Sequence, residues 1–297
     1  MEQTINNYFS IKAYAKVNLA LDVLRRRPDG YHDVKMIMQN LDIYDELEFE
    51  VLARDTEDTQ ITLTVNKEGI PTDDRNLAYK AIAILFEAFN IKSHIAVNLI
   101  KNIPAEAGMA GGSTDCAAAL KAVNVLYNLG LTTDELMKYG VKLGADVPYC
   151  ILGRTAISEG IGEVLTPIKG LPAVHVLVAK PPVNVSTKEI YTNLKANELD
   201  KHPDVDGMVE ALESQNLNAI AERMENVLET VTVNMHPQIE ELKSLMKEQG
   251  ALNAIMSGSG PTVFGLFEDK DKVWEAAMMI SDQELAPEVF ITRPVNG

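Results

Sequence analysis

Small residues fill the segment 107–114, Ala-Gly-Met-Ala-Gly-Gly-Ser-Thr, immediately before an alanine-rich helical pattern. The backbone of such a segment can approach a ligand closely, and Ser113, Thr114 or Asp115 can cap the helix. Free N–H groups and the positive end of the helix dipole then favour a phosphate. The Walker A lysine is absent after Gly112, and so is a Gly-x-Gly-x-x-Gly pattern. Physically, a phosphate site and a turn that only packs a helix tightly are equally supported.

Two charged residues have types suited to group transfer. Lys16 lies on the polar face of an alternating strand pattern, two residues from Asn18, so both side chains can reach one pocket. Asp146 stands two residues before Pro148. Taken alone, the two residues are better explained by structural roles, Lys16 as a solvated strand residue and Asp146 as a turn or capping residue.

The elements that must position these residues mix strands and helices without regular alternation. Strand patterns occupy about 14–23, 45–52, 61–65 and 94–101, and helical patterns about 76–89, 115–127 and 133–143. After residue 170 come an apolar strand at 173–180, three helix-like segments within 187–249, a Ser/Gly turn at 257–262, a helix at 272–281 and a strand at 288–293. We therefore predict an α+β fold with two domains, 1–170 and 171–297.

Composition limits the class of protein. The chain has 297 residues and a net charge of −16, which argues against a nucleic-acid partner. Its two cysteines and five scattered histidines form neither a disulfide framework nor a zinc pattern. No secretory leader and no apolar run of spanning length is visible, so we expect a cytoplasmic protein without a membrane partner.

Three segments together resemble a known family. The central stretch "IPAEAGMAGGSTDCAAAL", the N-terminal "AYAKVNLAL" and the C-terminal "IMSGSGPTVFGLF" occur in the order of the motifs of the small-molecule kinases named for galactokinase, homoserine kinase, mevalonate kinase and phosphomevalonate kinase. One departure is Met109-Ala110, where that family usually has Leu-Gly. Ala110 is tolerable at negative φ and strained in a left-handed turn.

A branch of the family is indicated by two further strings. "AKVNLALDVLRRRPDGYHDV" and "LGADVPYC" resemble the kinases that act on a cytidine diphosphate-linked methylerythritol, and the Arg-x-Asp-Gly-Tyr-His string at 27–32 is the most specific part. The resemblance implies ATP-dependent phosphorylation of a 2-hydroxyl in isoprenoid precursor synthesis, with Mg²⁺ accompanying ATP. It also implies a first domain similar to the second domain of a ribosomal protein, a ferredoxin-like second domain, and an active site in the cleft.

The resemblance assigns roles residue by residue. The expected catalytic residues are Lys16 and Asp146. The expected ATP-binding residues are Pro104, Ala105, Glu106, Ala107, Gly108, Met109, Ala110, Gly111, Gly112, Ser113 and Thr114. The expected substrate-binding residues are Asn18, Tyr31, His32, Thr187 and Tyr191, of which Tyr31 would stack on cytosine and His32 would read its polar edge.

Weaker candidates and rivals remain open. Lys101 and Asn76 are possible nucleotide contacts, although capping is the simpler role for Asn76. The turn at 257–262 is either a close approach to the site or a plain hairpin. The rival functions are another small-alcohol kinase, acting on mevalonate or homoserine, and a non-catalytic nucleotide-binding protein. The metal ligands and the oligomeric state are left unassigned.

Overall fold

The structure is a computed structural model that describes residues 6–296. Internal contacts divide this part of the chain into two units. The first contains residues 6–15, Ile43–Ile103 and Ala110–Gly153, and the second contains Lys16–Asp42, Pro104–Met109 and residues 154–296. The expected boundary at residue 170 falls inside the second unit, because residues 156–160 pair with residues 34–38, and residues 164–167 pair in turn with residues 156–159. Domains at 1–170 and 171–297 stay a prediction.

Twelve strands and ten α-helices occupy the part of the chain from residue 6 to residue 296. The strands are β1 (Tyr8–Arg26), β2 (His32–Arg54), β3 (Gln60–Val65), β4 (Ser93–Ile100), β5 (Ala156–Gly160), β6 (Val164–Pro167), β7 (His175–Lys180), β8 (Glu225–Asn226), β9 (Asn253–Met256), β10 (Val263–Phe267), β11 (Glu288–Thr292) and β12 (Pro294–Val295). The helices are α1 (Leu77–Ala88), α2 (Gly111–Leu126), α3 (Thr133–Gly140), α4 (Val147–Leu152), α5 (Thr187–Asn193), α6 (Val205–Glu213), α7 (Leu217–Arg223), α8 (Glu229–Met235), α9 (Gln238–Glu248) and α10 (Lys270–Asp282).

The first unit packs helices against a sheet. The second half of β2 pairs antiparallel with β4, and β4 pairs parallel with β3. Helix α1 packs on α2, which also packs on α4. Apolar side chains alternate along β2 and β4, so that Leu47, Phe49, Ile95, Val97 and Leu99 are all buried. Helix α1 also contacts β3, so helices and sheet share the core of this unit.

Local capping explains where two helices of this unit begin. The side chain of Asn76 accepts a hydrogen bond of 2.9 Å from the amide of Ala78, so Asn76 is the cap of α1. Thr132 and Glu135 form a capping box at the start of α3. Helix α2 begins at Gly111, about four residues before its expected start, because the glycines adopt helical backbone.

The second unit contains two groups of strands. The first half of β2 pairs antiparallel with β5 and with β12, β5 pairs with β6, and the second half of β1 pairs parallel with β8. Strands β11, β7, β10 and β9 form a four-stranded antiparallel sheet. Helices α9 and α10 pack on this sheet. The expectation of three helices within 187–249 was wrong, since α5 to α9 lie there.

The fold class expected from sequence is confirmed at its coarser level. Strands and helices mix in an α+β arrangement with two units. Within residues 6–296, none of the helices combines the length and the apolar character needed to cross a bilayer.

Candidate active site

Lys16 and Asn18 meet, as their spacing on β1 predicts. The ammonium of Lys16 donates a hydrogen bond of 2.8 Å to the side-chain oxygen of Asn18. The two residues are only 4% and 0% exposed. A lysine ammonium held this deeply needs oxygen partners to offset its lost hydration. The alternative role of Lys16 as a solvated strand residue is therefore wrong.

The second partner of Lys16 is the backbone of the small-residue segment. The Lys16 ammonium lies 3.1 Å from the carbonyl oxygen of Gly108. The backbone amide of Lys16 donates to the carbonyl oxygen of Met109. The hydroxyl of Ser257 donates to the same Gly108 oxygen at 3.0 Å. All four residues belong to the second unit. The segment is thus attached to the strand that carries the expected catalytic lysine.

The turn at 257–262 is a close approach to this segment, one of the two alternatives left open by the sequence. A Cβ on Gly108 would lie 2.2 Å from the backbone oxygen of Ser257, and φ of Gly108 is +68°. A Cβ on Gly258 would lie 3.1 Å from the Gly108 oxygen and 3.5 Å from the Lys16 ammonium. Ser257 and Gly258 therefore belong beside Lys16, although the sequence-based site left them out. Their Ser-Gly-Ser-Gly pattern was the available signal.

The segment owes its shape to three residues with left-handed backbone. Glu106, Gly108 and Ala110 have φ of 51°, 68° and 58°. Ala110 therefore adopts the conformation that the sequence marked as strained, at a cost of about 1–2 kcal/mol. Ala110 thus occupies a left-handed turn that a glycine would adopt without this strain.

The expected ATP-binding residues divide at Ala110. Residues Pro104–Met109 belong to the second unit and include the buried Pro104, Ala107 and Met109, with Ala105 partly buried and Glu106 exposed. Gly111, Gly112, Ser113 and Thr114 form the first turn of α2 in the first unit.

The start of α2 is suited to an anion. The amide of Thr114 bonds to the carbonyl of Ala110 at 2.9 Å. The three preceding amides, from Gly111 to Ser113, therefore come before the first bond of the helical ladder. No acidic residue lies in the first turn. Amides and helix dipole together favour a phosphate here.

Lys101 belongs to a buried cluster at the same end of α2. Its ammonium, 5% exposed, donates to Asp115 at 2.7 Å and also to Asp45. The other oxygen of Asp45 accepts from the amides of Asn102 and Ile103 at 2.6 and 2.8 Å. The cluster therefore ties the chain before the small-residue segment to the helix after it.

Two carboxylates share the one ammonium of this cluster. Burial raises the pKa of Asp115 from 3.8 to about 8, Lys101 opposes that rise and Asp45 adds to it. One oxygen of Asp115 is buried without a hydrogen-bond partner, as suits a neutral carboxyl better than an ionised one. Burial acts to lower the pKa of Lys101, but the two carboxylates outweigh it and raise that pKa.

Asp146 stands at the start of α4, in the first unit. Its side chain makes no capping hydrogen bond and is partly exposed, so the capping role is not the one it performs. Burial, then Cys150 and Asp146, raise the pKa of the buried Tyr149 hydroxyl well above its usual value. Tyr149 thus stays neutral beside the helix end that presents Asp146.

Of the residues expected at the cytosine site, His32 and Tyr191 come together in the second unit. Tyr31 follows a turn and is 58% exposed, whereas His32 is 9% exposed. The rings of His32 and Tyr191 have centroids 5.1 Å apart at 45°. Burial, with help from Arg26, lowers the pKa of His32 below 6.5, and its Nε2 atom is buried without a partner. A neutral imidazole with an unused nitrogen is suited to read a polar ligand edge.

Thr187 and Tyr191 both lie on α5, as their four-residue spacing predicts. The hydroxyl of Thr187 lies 2.8 Å from that of Ser259, in the turn that approaches Gly108. The helix start is therefore connected to the turn that contacts Lys16.

A magnesium cage is not built into the residues that the structure describes. Among residues 6–296, no group of three or more His, Cys, Asp or Glu side chains could hold a metal ion. Mg²⁺ commonly binds through substrate phosphates with one or two protein oxygens, so the residues at the start of α2 fit a metal that arrives with ATP.

Comparison with known proteins identifies the family. The family model described as the GHMP kinases N terminal domain matches residues 76–154, and that of the GHMP kinases C terminal matches residues 208–281. A 4-diphosphocytidyl-2-C-methyl-D-erythritol kinase of Lachnoclostridium phytofermentans is 49% identical over 96% of both chains. One of Clostridium perfringens is 46% identical over 97% of this chain and 98% of its own.

A solved structure extends the likeness to the fold. The crystal structure of a 4-(cytidine 5'-diphospho)-2C-methyl-D-erythritol kinase is 30% identical and superposes with a TM-score of 0.82, covering 97% of this chain and 100% of its own. Sequence and fold agree over nearly the whole length. The chain therefore belongs to the GHMP kinases, in the family of the 4-diphosphocytidyl-2-C-methyl-D-erythritol kinases.

Proposed function

We propose that the protein transfers the γ-phosphoryl group of ATP to the 2-hydroxyl of 4-diphosphocytidyl-2-C-methyl-D-erythritol, giving the 2-phosphate and ADP. The observation that carries the proposal is the ammonium of Lys16, which is buried and lies 3.1 Å from the backbone oxygen of Gly108 in the small-residue segment. A cation placed there can neutralise charge on a transferring phosphoryl group. Family relatives of that name at 49% and 46% identity support the substrate.

Asp146 is the proposed base. Its carboxylate would accept the proton of the 2-hydroxyl as that oxygen attacks the γ-phosphorus and the bond to the ADP oxygen breaks. Asn18 holds the Lys16 ammonium and is the proposed contact of the methylerythritol portion. Lys16 stabilises the charge that develops on the phosphoryl oxygens.

The phosphates of ATP are proposed to lie on residues 104–114. The amides at the start of α2 supply donors, and the left-handed residues before it turn the backbone towards the ligand. Mg²⁺, held by the phosphates with the hydroxyl of Ser113, would neutralise phosphate charge when bound.

Cytosine recognition is proposed for Tyr31, His32 and Tyr191. The exposed ring of Tyr31 offers a face for stacking, and stacking alone does not distinguish bases. The neutral His32, with its buried unpartnered Nε2, supplies the hydrogen bond that does. Thr187 closes the same pocket in this proposal.

The finer fold assignment is part of the proposal as well. It comprises a first domain similar to the second domain of a ribosomal protein, a ferredoxin-like second domain, and catalysis in the cleft. The four-stranded antiparallel sheet with α9 and α10 on it supports the ferredoxin-like part. A cytoplasmic location stays a prediction.

The test measures ADP release with Mg-ATP and, in parallel, the cytidyl substrate, mevalonate and homoserine. Turnover with the cytidyl substrate alone is expected. Turnover with mevalonate or homoserine would contradict the cytosine assignment and leave a kinase of another specificity. Binding of ATP without turnover of any alcohol would favour the non-catalytic rival.

A further inference from the structure

Asn226 is a buried amide without a role in the site described so far. It lies in β8, which pairs with β1 through Leu21, and it is 3% exposed. Its side-chain oxygen accepts from the amide of Leu228 at 3.0 Å. Its side-chain nitrogen donates to two carbonyl oxygens, those of Met256 and Gly258, each at 2.8 Å. One side chain thus binds the carbonyl groups of the residues on either side of Ser257.

The residue between those two carbonyls is Ser257. Its hydroxyl donates to the Gly108 oxygen at 3.0 Å, and Lys16 donates to that same oxygen at 3.1 Å. The route from Asn226 to the proposed catalytic lysine therefore runs through one turn and one carbonyl group. Every contact in it lies within the second unit.

Glu229 supports the same strand end. One of its oxygens accepts from the amide of Met256 at 2.6 Å, and the other accepts from Lys243 at 2.6 Å. Asn226 and Glu229 thus bind the carbonyl and the amide of one residue, Met256. The strand end is held on both sides immediately before it enters the turn.

We infer that Asn226 is a positioning residue for phosphoryl transfer: it fixes the Ser257–Gly258 backbone that sets the place of the Gly108 carbonyl and of the Lys16 ammonium. The inference rests on the proposed function for its link to catalysis. Asn226 acts through the turn and not by contact with the reacting atoms. A small displacement of a charge-stabilising group is enough to slow a positioned reaction.

Asn226→Asp is the sharpest variant. It retains the shape of the side chain and the acceptor for Leu228. In place of the amide donor it puts a carboxyl oxygen against the Met256 and Gly258 carbonyls, which repels both when ionised and can donate to only one of them when protonated. Asn253→Asp is the matched control, because Asn253 also donates to two carbonyls, those of Ala221 and Met224, at the other end of β9. Its oxygen likewise accepts a local amide.

Three quantities are measured for both variants: Tm, kcat with KM for the cytidyl substrate, and hydrogen exchange of the Ser257 amide. Asn226→Asp is expected to lower kcat by about tenfold to a hundredfold with KM unchanged. It should also speed exchange at Ser257, whose amide bonds to Thr262. Asn253→Asp is expected to lower Tm by less, because Asn253 is only partly buried, and to leave kcat and that exchange as they are.

Wild-type kcat in a folded Asn226→Asp protein would overturn the inference, and so would an equal loss of kcat in both variants. If the wild type does not turn over the cytidyl substrate, the proposed function fails separately. Exchange at Ser257 then decides, since unchanged protection in Asn226→Asp would show that the amide does not hold the turn. If Asn226→Asp does not fold, Asn226→Ser is measured in the same way.

Discussion

The ammonium of Lys16 and the carbonyl oxygen of Gly108 lie 3.1 Å apart although 92 positions separate them in the chain. The contact joins a side chain on β1 to the main chain of the small-residue segment. Its geometry therefore depends on the position of the backbone at residue 108. A substitution that displaces this backbone should therefore also displace the Lys16 ammonium.

Gly108→Ala tests that dependence. Its Cβ would lie 2.2 Å from the Ser257 oxygen, so the turn must shift. Gly130→Ala is the matched control, because φ is +69° there against +68° and nothing lies within 4 Å of the added Cβ. We expect Gly108→Ala to cost about 1–3 kcal/mol more in unfolding free energy than Gly130→Ala, and to lose most activity. Urea denaturation and kcat measure this, and equal costs would contradict the close approach.

Asp146→Asn tests the proposed base. The amide keeps the shape of the side chain and cannot accept the hydroxyl proton, so kcat should fall by about 10²–10⁴-fold while ATP binding is retained. Asp134→Asn, at an exposed acid in the first turn of α3, is the control that should keep full activity. Steady-state kinetics and calorimetric titration with ATP separate the two effects. Full activity in Asp146→Asn would remove this residue from catalysis.

The protonation state of His32 gives a spectroscopic test. Burial first, and Arg26 second, lower its pKa below 6.5, so the ring is neutral at pH 7. Its contribution to stability is present above pH 6.5 and is lost as pH falls through the lowered folded pKa. NMR titration of the ring protons should show a midpoint below 6.5. A midpoint above that value would contradict the burial argument.

His32 should also decide base preference. His32→Ala removes the unpartnered Nε2 and leaves Tyr31 in place, so discrimination between cytidyl and uridyl substrates should fall while stacking persists. The ratio of kcat/KM for the two substrates measures this. An unchanged ratio would assign the discrimination to other groups.

The raised pKa of Asp115 predicts that the free energy of unfolding falls as the pH rises. Its pKa is raised to about 8 by burial, so the folded protein holds a proton that the unfolded chain releases near pH 3.8. This contribution is complete below pH 3.8 and is lost as pH rises through 8. We expect a smaller fall in unfolding free energy between pH 6 and pH 9 for Asp115→Asn than for the wild type. Equal falls in urea denaturation would show that Asp115 is ionised at neutral pH.

Sequence reasoning succeeded where the determining contact is local. Alternation on β1 placed Lys16 and Asn18 on one face, and the structure brings them within 2.8 Å. The cap signal before α3 is a true capping box, since Thr132 and Glu135 are three residues apart. Such features depend on backbone periodicity alone.

The contacts that sequence reasoning missed join distant segments. Asp45 meets Lys101 across 56 positions, and Asn226 meets Gly258 across 32. Neither Asp45 nor Asn226 lies in a local sequence pattern that distinguishes it from an ordinary polar strand residue. The sequence alone does not decide whether Ala110 has a negative φ or a left-handed one. The structure shows a left-handed φ of 58°, which depends on the packing of the whole turn.

The carbonyl of Gly108 has a dynamic consequence. A carbonyl oxygen has two lone pairs, and here Lys16 and Ser257 each donate to it. A flip of that peptide plane would break both hydrogen bonds in one movement. Opening of the small-residue segment at this residue would therefore release Lys16 and Ser257 together, and Asn18 would then be the remaining partner of the Lys16 ammonium among those described above.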